Sequence, residues 1–302
     1  MAAEPDIHVA RYGEDRECFL ENLPPPVPRY MYQDSQQFHR ILDYETARFR
    51  NMNYTLATLH HDTLQPATDD NSNYIVFLID PSSFKHEILH RNDQGPLGFL
   101  YEYDPITKIL SIKMTTREHR CAARAMNTLI EAALRGMELD LKFESFASVN
   151  VIVGANEQVK VPDEGWAPLT SAHEAPNRPA VVLEVGVSET ETKLREDARM
   201  WVDPARGQAN IAITIKIKRD QPLVKIDKWE WNMVTRRPQV NHHIEIAGGG
   251  GTVTVSGEPL LIPFLKIWRK KTRYPKERDI VRNTQDLVFL ATHIWAAMGM
   301  DY

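Results

Sequence analysis

Residues 179–194 read PAVVLEVGVSETETKL, and the first half of that stretch decides the fold. Val181-Val182-Leu183-Glu184-Val185-Gly186-Val187 is an apolar, β-branched run of strand length with one acid in its middle. Alternation puts Val181, Leu183, Val185 and Val187 on one face and Val182, Glu184 and Gly186 on the other. An ionised carboxylate buried without a partner is costly, so Glu184 has to be protonated, ion-paired or holding a metal. After the strand, residues from about 190 to 203 have a helical stripe of Leu194, Ala198, Trp201 and Val202, and ANIAITIKIKR (209–219) is a second apolar strand. Strand, helix, strand predicts a right-handed crossover and a mixed α/β or α+β sheet flanked by helices.

Upstream, QVKVPDEGW (158–166) places Asp163 at the end of a strand, after a proline that stops further pairing. Two carboxylates on the ends of neighbouring strands suit a hard cation such as magnesium, with water completing its shell. Before that come a hairpin, GFLYEYDPITKILSIKM (98–114), an Ala-rich helix over 116–137 and the strand SVNVIVG (148–154). The N-terminal part offers a stiff PPPVP arm (24–28), a helix from Asp34 bearing Phe38, Ile41, Leu42, Phe49 and Met52, a polar loop (62–73) and the strand YIVFLID (74–80). Downstream, PLVKIDKWEWN (222–232) alternates as a strand, Gly248 to Gly251 form a hairpin tip, and RDIVRNTQDLVFLATHIWAAMGM reads as a closing helix that packs on the body. The expected division is 1–97 as an N-terminal addition, 98–232 as the core and 233–302 as a C-terminal addition packed on it.

With 302 residues, 42% hydrophobic and 25% charged, the composition is that of an ordinary globular protein. No run approaches the roughly 20 apolar residues of a membrane span. The start, MAAEPDIHVARYGEDRE, has acids where a secretory signal needs an apolar run, so the expected location is intracellular, cytoplasmic or nuclear. Cys18 and Cys121 form neither a metal spacing nor a disulfide framework. A net charge of −5 argues against binding that relies on bulk positive charge, yet leaves room for a local basic groove.

The pattern PD, about twenty residues, an apolar strand with Glu, a helix and a second apolar strand resembles the PD-(D/E)xK restriction-endonuclease-like superfamily. Leu183-Glu184-Val185-Gly186, Ser188-Glu189, Leu194, Asp197-Ala198 and Trp201 resemble its Uma-type branch and uncharacterised fungal relatives, over about residues 98–232. The resemblance implies a nuclease with Asp163 and Glu184 as ligands of Mg2+ (or Mn2+), nucleic acid as substrate, DNA ahead of RNA, and a lysine that stabilises developing charge. Where E-x-K needs that lysine stands Gly186, and Lys193 on the following helix is the nearest replacement. A member that binds nucleic acid or a protein without cleaving is the alternative; an interaction protein with no nucleic-acid role is the third.

Other readings compete for the same residues. Glu184 can pair with Arg195, Arg199 or another buried base, Asp163 can be a turn residue, and Lys193 can be a solvated helix residue paired with Asp197. His119 reads as a helix-start residue, and the pairs His60-His61 and His242-His243 lack zinc spacing. KIWRKKTRYPKER (266–278) offers Arg269, Lys270, Lys271 and Arg273, with Trp268 and Tyr274 interleaved, as a nucleic-acid contact.

Overall fold

The computed structural model describes residue 23 and residues 27–59, 73–89, 99–169, 178–187 and 190–301, with the side chains of 52–59 outside that set. Most of the expected arm, nearly all of the loop at 62–73, His60-His61 and Ser188-Glu189 lie outside the described residues. In chain order the elements are β1 (Arg29–Met31), α1 (Ser35–Leu59), β2 (Tyr74–Leu78), short helical segments at Pro81–Ser83 and Phe84–Leu89, β3 (Leu100–Asp104), β4 (Ile109–Lys113), α2 (Arg117–Gly136), a helical turn at Asp140–Lys142, β5 (Phe143–Ser145), β6 (Val151–Val153), β7 (Gln158–Lys160) and β8 (Glu164–Pro168). They continue as β9 (Val181–Gly186), α3 (Glu191–Val202), β10 (Ile211–Ile217), β11 (Leu223–Asn232), β12 (Arg237–Gly249), β13 (Thr252–Ser256), β14 (Leu260–Ile262), α4 (Phe264–Trp268), β15 (Ile280–Arg282) and α5 (Thr284–Met298). None of the described helices is long and apolar enough to cross a membrane.

The chain divides into two compact units, the first made of residues 1–115, 156–160 and 188–190, the second of 116–155, 161–187 and 191–302. In the first, strands follow the order β1-β2-β4-β3-β7. Asp34 caps α1 by accepting the Gln37 N–H at 2.7 Å, and Phe38, Ile41, Leu42 and Phe49 are buried, as their spacing predicts. The β3–β4 hairpin turns where the Asp104 carboxylate accepts the Ile106 N–H at 2.8 Å.

The second unit is built on a seven-stranded sheet, ordered β13-β12-β11-β10-β9-β8-β5. β9 and β10 are parallel, joined through α3, and their other neighbours β8 and β11 are antiparallel to them. Val181, Leu183, Val185 and Val187 pack with α2 and α5, whereas Val182 packs with Ala198 and Trp201 of α3. Helices therefore cover both faces of a mixed sheet, the expected α/β arrangement, with α2 ahead of β8 and β9 and α3 between β9 and β10.

Three boundaries differ from the sequence reading. β7 ends before Pro162 and β8 begins after Asp163, so the chain changes sheets at the proline, which has no N–H for a ladder. Asp163 thus precedes the strand that pairs with β9. The closing helix starts only at Thr284, because Asn283 and Asp286 form a reciprocal capping box, and Ile280 lies in β15 instead. The short strand β5 at Phe143–Ser145 has no alternating pattern and escapes the sequence reading.

Gly207, where the chain leaves α3 for β10, sits against the helix end. A Cβ there would stand 2.5 Å from both Cα and O of Trp201 and 2.8 Å from the Met200 carbonyl oxygen. Gly207→Ala is therefore expected to destabilise the second unit by about 1–3 kcal/mol, the usual range for forced overpacking, read as a lowered urea midpoint. An unchanged midpoint would show that the α3 end gives way freely.

Candidate active site

Five elements of the second unit finish or start at one end of the sheet. β9 and β10 end there, β8 starts there, and the first turns of α2 and α3 stand beside them. In open α/β sheets the carboxyl ends of parallel strands are the usual place for a ligand. The two acids of the sequence pattern are both here and both buried, Asp163 at 8% and Glu184 at 3% exposure.

Asp163 is one residue before Glu164, which pairs with Leu183, so the antiparallel register extended by one step sets it opposite Glu184. Its Oδ2 accepts the backbone N–H of Val185 at 2.5 Å and the Nε2–H of His119 at 3.0 Å. The tautomer follows from the carboxylate partner. His119 is in the first turn of α2, where Thr116 caps the helix by accepting the His119 N–H. It is thus a helix-start residue, as its position suggests, and also the side chain that orients Asp163. Its Nδ1 is buried and has no hydrogen-bond partner among the described residues. Nothing in the sequence links positions 44 apart; only the shared sheet end does.

The indole N–H of Trp201 donates to Glu184 Oε1 at 2.5 Å. Trp201 is fully buried on α3, one turn-repeat below Asp197, so the helix that covers this sheet face also fixes the carboxylate. Two of the expected partners of Glu184 are engaged elsewhere: Arg195 pairs with Glu191 at 3.4 Å and Arg199 with Glu196 at 2.5 Å, both on the exposed side of α3. Lys193 does pair with Asp197, at 2.5 Å, but as a partly buried bond, its side chain 12% exposed. The expectation of a solvated lysine is corrected: the pair with Asp197 draws it in at the first turn of α3.

The register supplies a lysine that the sequence reading missed. Along β9 and β10, Thr214 stands opposite Glu184 and Lys216 opposite Gly186. Lys216 therefore lies on the same sheet face as Glu184, beside the position with no side chain, and its Nζ donates to the Val187 carbonyl at 3.0 Å. The row continues on the other side of β10, with Asp227 opposite Thr214 and Lys225 opposite Lys216. Just past β10, Arg219 donates twice to Glu118 Oε1, at 3.1 and 2.9 Å, tying the strand end to the first turn of α2.

Arg269, Lys270, Lys271 and Arg273 are elsewhere. They follow α4, and the segment is fixed near the far end of α2: Lys276 pairs with Glu138, and the Arg278 N–H donates to Met137 Sδ at 3.4 Å. From His119 to Met137 the helix rises about 27 Å at 1.5 Å per residue. The basic segment and the carboxylate pair thus mark opposite ends of one helix.

No protein-family model matches the chain, and no curated protein matches it in sequence. Among solved structures, the crystal structure of a DUF820 protein from Anabaena variabilis ATCC 29413, named as a candidate nuclease, is similar at 15% identity and a TM-score of 0.37, covering 64% of this chain and 90% of that one.

Proposed function

We propose that this chain is a divalent-metal-dependent nuclease of the restriction-endonuclease-like superfamily, nearest its Uma-type branch, acting on nucleic acid and on DNA ahead of RNA. What supports the reading is one observation: two buried carboxylates, one just before β8 and one in β9, lie at adjacent register positions near the carboxyl ends of the parallel strands, each accepting an N–H.

The donor chemistry fits magnesium or manganese. Asp163 and Glu184 would hold the ion through oxygen, and hydrogen-bonded carboxylates are the usual way a ligand set is oriented. No group of three or more His, Cys, Asp and Glu side chains arranged for a metal occurs among the described residues, so a closed, all-protein cage of the structural-zinc kind has no support. When bound, such an ion supplies charge neutralisation at phosphate and a lowered pKa for the attacking water. His119 keeps Asp163 turned toward Val185, and Trp201 keeps Glu184 from turning back into the core. Lys216, in register with Gly186, is the cation we assign to the charge that develops on the phosphoryl oxygens. Lys193 is bonded to Asp197 and positions that acid at the mouth of α3.

A non-cleaving member of the fold is the second reading, and the residue that favours it is Gly186 itself. Cleavage of supercoiled DNA with Mg2+ or Mn2+ separates the two. Lys216→Met is expected to lower kcat about 100-fold, the scale of removing one transition-state donor, with little change in DNA affinity. Lys193→Met is expected to cost less. A larger loss from Lys193→Met would return the catalytic role to the helix lysine, and DNA binding without cleavage by the wild type would establish the second reading.

A further inference from the structure

Seven bases fall between Lys266 and Arg278, and the structure sorts them into two kinds. Lys266 pairs with Glu230 at 3.0 Å, Lys270 with Glu277 at 3.8 Å, and Lys276 with Glu138. Arg269, Lys271, Arg273 and Arg278 are exposed and have no ion-pair partner among the described residues. Exposed Tyr274 stands among them, 68% accessible.

The segment is built to hold those charges outward. Glu277, its side chain only 2% exposed, is the hub: it accepts the backbone N–H groups of Arg273 at 2.5 Å and Tyr274 at 3.3 Å. The Arg273 N–H, helped by the Tyr274 amide and by the charges of Lys270 and Arg273, holds the Glu277 carboxyl below its usual range. Its contribution is therefore present above that range and lost on acidification through it. Lys270 lies 5.3 Å from the centre of the Trp268 ring, and Asp279 is occupied as the acceptor of the Phe264 N–H at 2.8 Å. Glu277 offsets Lys270 and Arg273 in part from the inward side, and from Lys266 to Arg278 it is the one acid against seven bases.

We propose that residues 269–278 are a docking surface for the phosphate backbone of nucleic acid, separate from the carboxylate centre. This rests on the nuclease reading for the identity of the polyanion. A chain of net charge −5 repels a polyanion except where positive charge is concentrated and left unpaired. A row of four such side chains with one exposed ring suits a phosphate array with a base or sugar to stack on. A protein interface would instead be expected to bury an apolar centre. The separation of about 27 Å along α2 corresponds to about 8 base pairs at 3.4 Å each. Engaging both places requires a duplex at least that long.

The test is fluorescence anisotropy without metal, using a DNA duplex of about 24 base pairs and a hairpin of about 6, read across salt concentration. The wild type is compared with Arg269→Gln/Lys271→Gln/Arg273→Gln combined, whose thermal midpoint checks folding; Arg269→Gln and Lys271→Gln alone serve if the triple variant unfolds. On the long duplex we expect affinity to fall at least tenfold and the log–log salt slope to become shallower by up to about 2.7, about 0.9 per lost phosphate contact. The hairpin still presents phosphates to the segment, so its affinity should fall in the variant as well. Unchanged affinity and slope on the long duplex overturn the proposal, even if the wild type cleaves DNA and the nuclease reading stands. Loop-dependent binding by a wild type that never cleaves supports the docking surface and removes the nuclease reading. If the loop binds poly-glutamate but no duplex at any salt, the partner is an acidic protein and the proposal falls.

Discussion

Trp201→Ala is expected to lower the stability of the second unit by about 3–5 kcal/mol, the range for truncating a buried tryptophan. The side chain is fully buried where α3 meets the sheet, packed with Val182, Ala212 and Trp229. Its removal also leaves Glu184 Oε1 buried without the indole donor, a further penalty of about 1–3 kcal/mol. Trp201→Phe separates the parts, since a phenyl ring restores most of the packing and none of the hydrogen bond. Urea unfolding should therefore rank wild type above Trp201→Phe and Trp201→Phe well above Trp201→Ala. If Trp201→Phe equals wild type, the indole bond does not constrain Glu184, and the orientation argument for that carboxylate fails with it.

Asp163 carries the second large effect, because one oxygen serves two donors. Asp163→Ala leaves the Val185 N–H and His119 Nε2 without their acceptor and removes a negative charge from the candidate ion site. We expect loss of metal-dependent cleavage by about 1000-fold, close to 4 kcal/mol at 1.36 kcal/mol per tenfold, together with reduced stability. Asp163→Asn keeps an acceptor oxygen, so it should recover most of the stability and none of the activity. Full activity in Asp163→Asn would mean that the acid is a structural cap for the β9 strand end and no more.

His119 gives a graded version of the same test. His119→Ala removes one of the two donors on Asp163 Oδ2 and leaves the other, so its effect on kcat is expected to fall between wild type and Asp163→Asn. Rescue by His119→Gln, whose amide can donate in place of Nε2–H, would identify the residue as positioning. Failure of that rescue, with stability restored, would point to a role for the imidazole itself.

The buried strand with one acid is legible from residue order alone, because alternation fixes which face Glu184 takes, and the packing of Val182 against Trp201 follows that assignment. The crossover to β10 is legible for the same reason. Registers are not. Lys216 faces the gap at Gly186 only because β9 and β10 pair in one register, and a shift of one residue would send it to the opposite face. Local spacing says nothing of that shift, so the nearer Lys193 looked like the better candidate. His119 was hidden for a different reason: its contact with Asp163 depends on where α2 begins relative to β8, which is set by the packing of the whole helix. The basic segment was legible as charge, whereas its distance from the acids follows from the length of α2 and from contacts beyond its last turn. Asp163 shows how punctuation misleads. Pro162 does stop a strand, but the strand that matters starts on its other side.

The central claim is that Asp163 and Glu184 hold one divalent ion between them, and Mn2+ binding followed by electron paramagnetic resonance tests it without depending on any substrate. One Mn2+ per chain is expected for the wild type, with binding lost in both Asp163→Asn and Glu184→Gln while their folds persist. Equal Mn2+ binding by the wild type and both variants would contradict the account, as would a wild type that binds none.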